Sequence, residues 1–438
     1  MRQFFDDRVL LSNEESVVLY NEVKDLPIID YHCHLNQHDI RNNARFSDIA
    51  SLWLGGDHYK WRAMRLCGVD EFYITGDAPS KEKFIKYCEI MPKLMGNPLY
   101  YWSHFELKQV FGIDLEINKE NAEKIYDLAN EKLKSLDVTS LLKLFKVEYI
   151  ATTDDPTSTL EDNGIINGVK VMPTFRADKI FAFDNDYIKT LGENINDLED
   201  YKKAIVARLD YFVSKSCKIV DIGFKDFPSQ IFDEKRANDA FINRDHMSDM
   251  ERDGLTGNLF LFLFREFKKR NLIVQLHFAV IRNINTPMFK KVGVDSGFDV
   301  MAKEIDIYNL INLLNALSDE ERPTIVLYTL NPNTIAAIAN ISGAFRNVYI
   351  GAAWWFNDSV NGIRRNLDLV SEYAVLGTNL GMLTDSRSFS SYSRFDFFRR
   401  ILCDFVGDKV NKGEYSLESA KTLVKDICYN NIKKLLGE

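Results

Sequence analysis

The chain has 438 residues, of which 46% are hydrophobic and 27% charged, and it carries a net charge of −9. That composition builds a large core and argues against disorder. An acidic chain with no long basic run is not expected to bind nucleic acid through its phosphates, and its longest apolar stretches, such as NLFLFLF at 258–264, are too short to span a bilayer.

Taken in chain order, eight short apolar runs each end in a reactive polar residue. They fall at 27–34, 147–155, 169–176, 218–224, 272–278, 324–330, 348–356 and 380–386. The first, PIID, runs into His32 and His34, and VEYIATT ends at Asp154 and Asp155. VKVMPTF ends at Arg176, KIVDIGF at Lys225, LIVQL at His277 and TIVLYTL at Asn331. VYIGAAWW leads to Asn357 and Asp358, and LGMLT leads to Asp385 and Arg387. Strands buried on both faces read as continuous apolar runs, and the gaps between them carry helical periodicity. The pattern predicts an α/β fold, a distorted (β/α)8 barrel formed by a single domain over 1–438, with reactive groups at the strand ends. The gap 36–146 is too long for a loop, so a helical insertion after strand 1 is expected over the barrel mouth. Residues 225–270 form a second enlarged connection, and the segment from Asp396 onward is expected to be helical and to pack outside the barrel.

Two side chains at i and i+2 on a strand share a face, so His32 and His34 point into the barrel and Cys33 points away. Two imidazoles at a strand end suit a divalent metal of the zinc type. Asp385, on the strand that closes the ring beside the first, is a third ligand, a proton-transferring base, or both, and Arg387 shares its face. Their alternative role is a salt bridge sealing the barrel, while Thr384 and Ser386 face outward as structural residues. His277 is a further site candidate at a strand end, although a lone His there also serves as a core residue. Arg176 and Arg282 are candidate clamps for a carboxylate, which a guanidinium grips by two parallel hydrogen bonds. GGDHYKWR at 55–62 would bring His58 and Tyr59 over the pocket as part of a lid. Of Trp354 and Trp355, one could floor the pocket. His38 is either a site residue or a solvated loop residue, and Asp154 and Asp155 before Pro156 suit a helix cap. Dinucleotide, Walker, nucleophile-elbow and EF-hand signatures are absent. Six scattered cysteines with no CxxC pair, behind an N-terminus without the apolar core of a signal peptide, fit a reduced cytoplasmic protein.

HxH after strand 1 and Asp after strand 8 resemble the ligand frame of the amidohydrolase superfamily. The strings DYHCHL, WLGGDHYKWRAM, GNPLYYWSHFELKQVFGI, GAAWWFND, GMLTDSRSF and FFRRILCD are similar to the uronate (glucuronate) isomerase family, from about residue 25 to the C-terminus. The resemblance implies interconversion of D-glucuronate with D-fructuronate and of D-galacturonate with D-tagaturonate, with one divalent metal, usually Zn2+, and a homo-oligomer. It assigns His32, His34 and Asp385 to the metal and sets Arg387, Arg176, His58 and Tyr59 around a small-molecule hexuronate. His277, Trp355 and Arg282 complete the expected substrate contacts. The chain departs from the family at Asp221-Ile222-Gly223 (usually Asp-His-Gly), Arg394-Phe395-Asp396 (usually Arg-His-Glu), Tyr101 (a His position) and Thr334-Ile335 (usually Asp-Asn). A hydrolase of the same superfamily and a non-catalytic sugar-acid-binding paralogue are the two alternative readings.

Overall fold

The computed structural model describes residues 3–438. Its strands are β1 (Ile28–Asp30), β2 (Val147–Ala151), β3 (Gly164–Ile166), β4 (Val169–Met172), β5 (Thr174–Arg176), β6 (Ile219–Phe224), β7 (Ile273–Phe278), β8 (Val280–Ile281), β9 (Val300–Met301), β10 (Thr324–Thr329) and β11 (Val348–Ile350). Parallel pairing runs β1–β2–β4 in one set and β5–β6–β7–β10–β11 in another. β3 adds antiparallel to β4 as an edge hairpin.

Pro173, which has no N–H to give a ladder, divides the stave expected at 169–176 into β4 and β5. The chain beyond β2 bridges the break. The Thr152 N–H donates to the Met172 carbonyl (3.0 Å), Asp154 N–H to Thr174 (3.1 Å) and Arg176 N–H back to Asp154 (3.0 Å). The eighth stave, 380–386, is extended but forms no regular ladder. Gly381 (φ +74) and Asp385 (φ +46) interrupt its pleat, and it joins β1 by other means. The Asp385 N–H donates to the His32 carbonyl (3.1 Å) and the His34 N–H to the Ser386 carbonyl (2.9 Å). The Asp30 carboxylate also accepts from the Thr384 N–H (2.9 Å) and hydroxyl (2.6 Å). The fold is therefore α/β, a barrel distorted at the third and eighth staves.

The stave expected at 348–356 ends early, at Ile350. Gly351 then passes so close to the Tyr328 ring that a Cβ would lie 2.1 Å from it, which only glycine tolerates. The rest, through Trp355, runs along the pocket as irregular chain.

The long gap after β1 is helical, as its periodicity predicts. Of its helices, His58–Leu66 reaches the barrel mouth, started by Asp57, whose carboxylate accepts from the Tyr59 and Lys60 N–H groups. Helices Glu234–Ile242 and Asp249–Lys269 fill the second enlarged connection. A third excursion, 279–306, was not expected: the β8–β9 pair flanks helix Thr286–Val292. The C-terminal segment is helical from Ser393, and helix Ser393–Asn411 packs between Glu14–Val23 and Pro98–Phe111. Buried apolar side chains from Leu11 to Leu436 form one contiguous cluster. Among the described residues no helix is long and apolar enough to cross a membrane.

Candidate active site

A cavity of about 550 Å³ opens at the ends of the barrel strands. It collects most of the residues singled out from sequence: His32, His34, His58, Arg176, His277, Arg282, Trp355, Asp385 and Arg387.

At its floor, His32 Nε2 lies 3.3 Å and His34 Nε2 3.1 Å from the same atom, Asp385 Oδ1. The other oxygen of Asp385 accepts the Trp354 indole N–H at 2.8 Å. Burial works against ionisation of Asp385, but its bonds to His32 and His34 outweigh it and hold the carboxyl well below the usual range. Burial pushes His34 down to about 4, so its imidazole is neutral near pH 7. His32 is raised instead: burial opposes its charging, and Asp221 and then Asp385 more than compensate.

Asp221, within β6, forms a second cluster that the sequence reading missed. Its Oδ1 lies 2.6 Å from His277 Nδ1, and its Oδ2 lies 4.0 Å from His32 Nδ1 and 3.6 Å from Arg176 Nη1. Burial would raise this carboxyl, but His277, His32 and Arg176 keep it ionised. With Nδ1–H directed at Asp221, His277 presents Nε2 bare to the pocket. That atom and His32 Nδ1 are both buried with no hydrogen-bond partner. The departure at Ile222 leaves this cluster intact, because Ile222 is fully buried in the core.

Three observations fit a divalent cation. Ligand atoms of His32, His34 and Asp385 lie within 4.8 Å of one another, as do those of His32, Asp221 and His277. Two imidazoles and a carboxylate are the donor set of zinc-type sites. The cavity wall also carries six carboxylates (Asp155, Asp178, Asp221, Asp295, Asp299 and Asp385) against four cations (Arg176, Lys179, Arg282 and Arg387). A pocket with that imbalance repels an anionic substrate unless a further positive charge enters.

The rim is built by the helical insertion and by the 279–306 excursion. Trp355 packs edge-on against His58 (5.1 Å) and lies under the Arg282 guanidinium (5.6 Å). The Tyr59 hydroxyl donates to Asp358 Oδ2 at 2.7 Å. Burial raises the Asp358 carboxyl to about 6 despite that bond, and burial lifts the Tyr59 phenol well above its ordinary value. Arg176 Nε bonds Asp178 Oδ2 at 2.9 Å, Arg282 pairs with Asp299 at 2.7 Å and Arg387 with Asp295 at 2.9 Å.

Several sequence candidates lie elsewhere. His38 is exposed and faces Asp162 at 3.1 Å, outside the cavity. Asp154 caps no helix; it is buried, accepting from the Thr152 hydroxyl (2.7 Å) and the Thr174 N–H (3.1 Å) across the broken stave. Asp155 does line the cavity, where it closes a turn by accepting from the Thr157 N–H. Asn357 donates to the Thr329 and Leu330 carbonyls as a structural link. Both tryptophans line the cavity, and Trp354, not Trp355, bonds the Asp385 carboxylate.

Compared with known proteins, residues 1–436 match the glucuronate isomerase family. A uronate isomerase of Brachyspira hyodysenteriae is 39% identical over 98% of each chain. The crystal structure of uronate isomerase from Thermotoga maritima superposes with a TM-score of 0.96 at 35% identity, over 99% of this chain and 100% of that one. Glucuronate isomerase from Caulobacter crescentus shares the fold, with a TM-score of 0.93 at 24% identity over 99% and 97% of the two chains. With the match running from end to end and the strand-end groups gathered in one pocket, the chain belongs to the uronate isomerase family.

Proposed function

We propose that this isomerase converts open-chain aldose acids into ketose acids, D-glucuronate to D-fructuronate and D-galacturonate to D-tagaturonate. The observation that carries the reading is the convergence of His32, His34 and Asp385 beneath a rim of three arginines. His32, His34 and Asp385 would hold one divalent cation, with zinc best suited to the donors. Bound between these residues, such a cation would supply Lewis acidity toward the substrate oxygens, making the adjacent C–H more acidic.

The chain's own groups supply the rest. Asp385 is ionised near neutral pH and is our choice to take the proton from C2 and return it to C1. The hydroxyl proton at C2 passes to the C1 oxygen, with His58 from the cavity wall and, on the family resemblance, Tyr59 assisting the oxygens. Arg387 faces the developing enediolate, and loss of one such donor typically costs about 3–4 kcal/mol. Arg176 holds the substrate carboxylate, with Arg282, His277 and Trp355 completing the binding surface. One continuous apolar core supports reading the chain as one domain, and the resemblance to the family supports a cytoplasmic homo-oligomer. The test is to incubate zinc-loaded protein with D-glucuronate and D-galacturonate separately and to follow ketose formation by NMR. Ketose in either reaction is expected; acid release without ketose, or no product from either, overturns the reading.

A further inference from the structure

Two of the three rim arginines are paired with carboxylates of one short segment, 295–299, and the two pairings differ in kind. Asp299 is 5% exposed; its Oδ2 accepts from Arg282 Nη1 and its Oδ1 from the Asn283 N–H, both at 2.7 Å. It is built into the excursion. Asp295 is half exposed, its side chain 52% accessible, and its pairing with Arg387 Nη2 at 2.9 Å is its one hydrogen bond among the described residues.

The segment between them is fastened to the lid helix. Arg62 Nη1 donates to the Gly297 (3.2 Å) and Asp299 (3.0 Å) carbonyls, Arg65 donates to the Ser296 carbonyl, and the Arg65 guanidinium lies 4.4 Å from the Phe298 ring. Gly297, at φ +89, sits so close that a Cβ would lie 2.9 Å from the His58 carbonyl oxygen. The backbone of the segment is therefore held, while the Asp295 side chain can swing into solvent without breaking any of these contacts.

We propose that Asp295 occupies Arg387 as an internal stand-in for the substrate oxygen that turns anionic in the enediolate, and is displaced when a sugar acid brings an anionic oxygen to that place. This deepens the isomerase reading and rests on it. An exposed ion pair of this kind contributes little to the fold, but it competes with every anion that approaches Arg387. Only a ligand making further contacts at the floor overcomes the competition. A neutral sugar has no charge to exchange for the pair. Asp295 thus sets how strongly the site favours an acid that reaches the floor over a small anion that meets Arg387 alone.

Calorimetry on the zinc-loaded protein tests this with D-gluconate, whose carboxylate at C1 puts an anion where the enediolate charge develops, and D-glucitol, its neutral counterpart. Asp295→Asn should tighten gluconate about three- to tenfold, which at 1.4 kcal/mol per decade is about 0.7–1.4 kcal/mol. Glucitol binding should change less than twofold, and Asp295→Glu should restore competition. Asp162→Asn, which removes a carboxylate paired with His38 outside the cavity, should not tighten gluconate. Unchanged or weaker gluconate binding in Asp295→Asn, an equal gain for glucitol, an equal gain in Asp162→Asn, or no gluconate binding by either protein would each overturn the proposal. These readouts need no turnover, so a wild-type protein that makes no ketose refutes the isomerase reading while the gluconate comparison still decides the role of Asp295.

Discussion

Asp221 and His277 stand on adjacent parallel strands, β6 and β7, with the carboxylate Oδ1 2.6 Å from the imidazole Nδ1. The contact fixes the tautomer of a fully enclosed histidine and leaves its Nε2 facing the pocket. The ring also stacks on Tyr328 at 4.6 Å and packs against Trp354 at 4.5 Å. Asp221→Asn keeps the shape but offers an N–H to Nδ1, which moves the ring proton to Nε2. kcat/KM should fall about 100-fold or more. A kcat/KM within twofold of wild type would show that His277 does not depend on this partner.

Removal of metal has a stability consequence as well as a catalytic one. A cation binding only the folded chain adds RT ln(1 + [L]/Kd), about 2.7 kcal/mol at one hundred times Kd. Chelation should abolish activity and lower Tm by a few degrees, and zinc should restore both. An unchanged Tm together with full activity after exhaustive chelation would refute cation binding at His32, His34 and Asp385.

His104 gives a pH signature away from the pocket. It is 3% exposed, with Nδ1 2.6 Å from the Tyr100 carbonyl and Nε2 accepting from the Ile117 N–H at 3.0 Å. Burial pushes its pKa down to about 4 against the Tyr100 contact. The unfolded chain therefore binds a proton near pH 6.5 that the folded chain refuses until about pH 4. This contribution to stability is complete above pH 6.5 and is lost as pH falls to about 4, a loss of about 3 kcal/mol at 1.36 kcal/mol per unit. The imidazole NMR signal absent from His104→Gln should not titrate above pH 5; a midpoint near 6.5 would contradict the burial argument.

Much of this architecture was legible because it follows from local pattern. Continuous Val/Ile/Leu runs marked β6, β7 and β10, and His32, His34 and Asp385 stood out because imidazole pairs and charged strand ends are costly without a purpose. What escaped was set by tertiary contact. Pro173 stood inside a run expected to be one stave, and the break there, like its stitching by Asp154, appeared only in the structure. Asp221 lay inside an apolar run with no cue that His277 faced it across a ladder. The 279–306 excursion mixes apolar and polar residues in short pieces without a sustained period, and Asp295 and Asp299 passed as loop acids. The pleat rule placed Asp385 and Arg387 in one pocket, although positive φ at Asp385 breaks the pleat and Arg387 reaches the rim instead.

The most direct test of the account is the initial rate of ketose formation by zinc-loaded Asp385→Asn, measured beside its thermal melt. The account predicts a fall of about 1000-fold or more with the cooperative unfolding transition preserved. A folded variant that turns over at a near wild-type rate would contradict it.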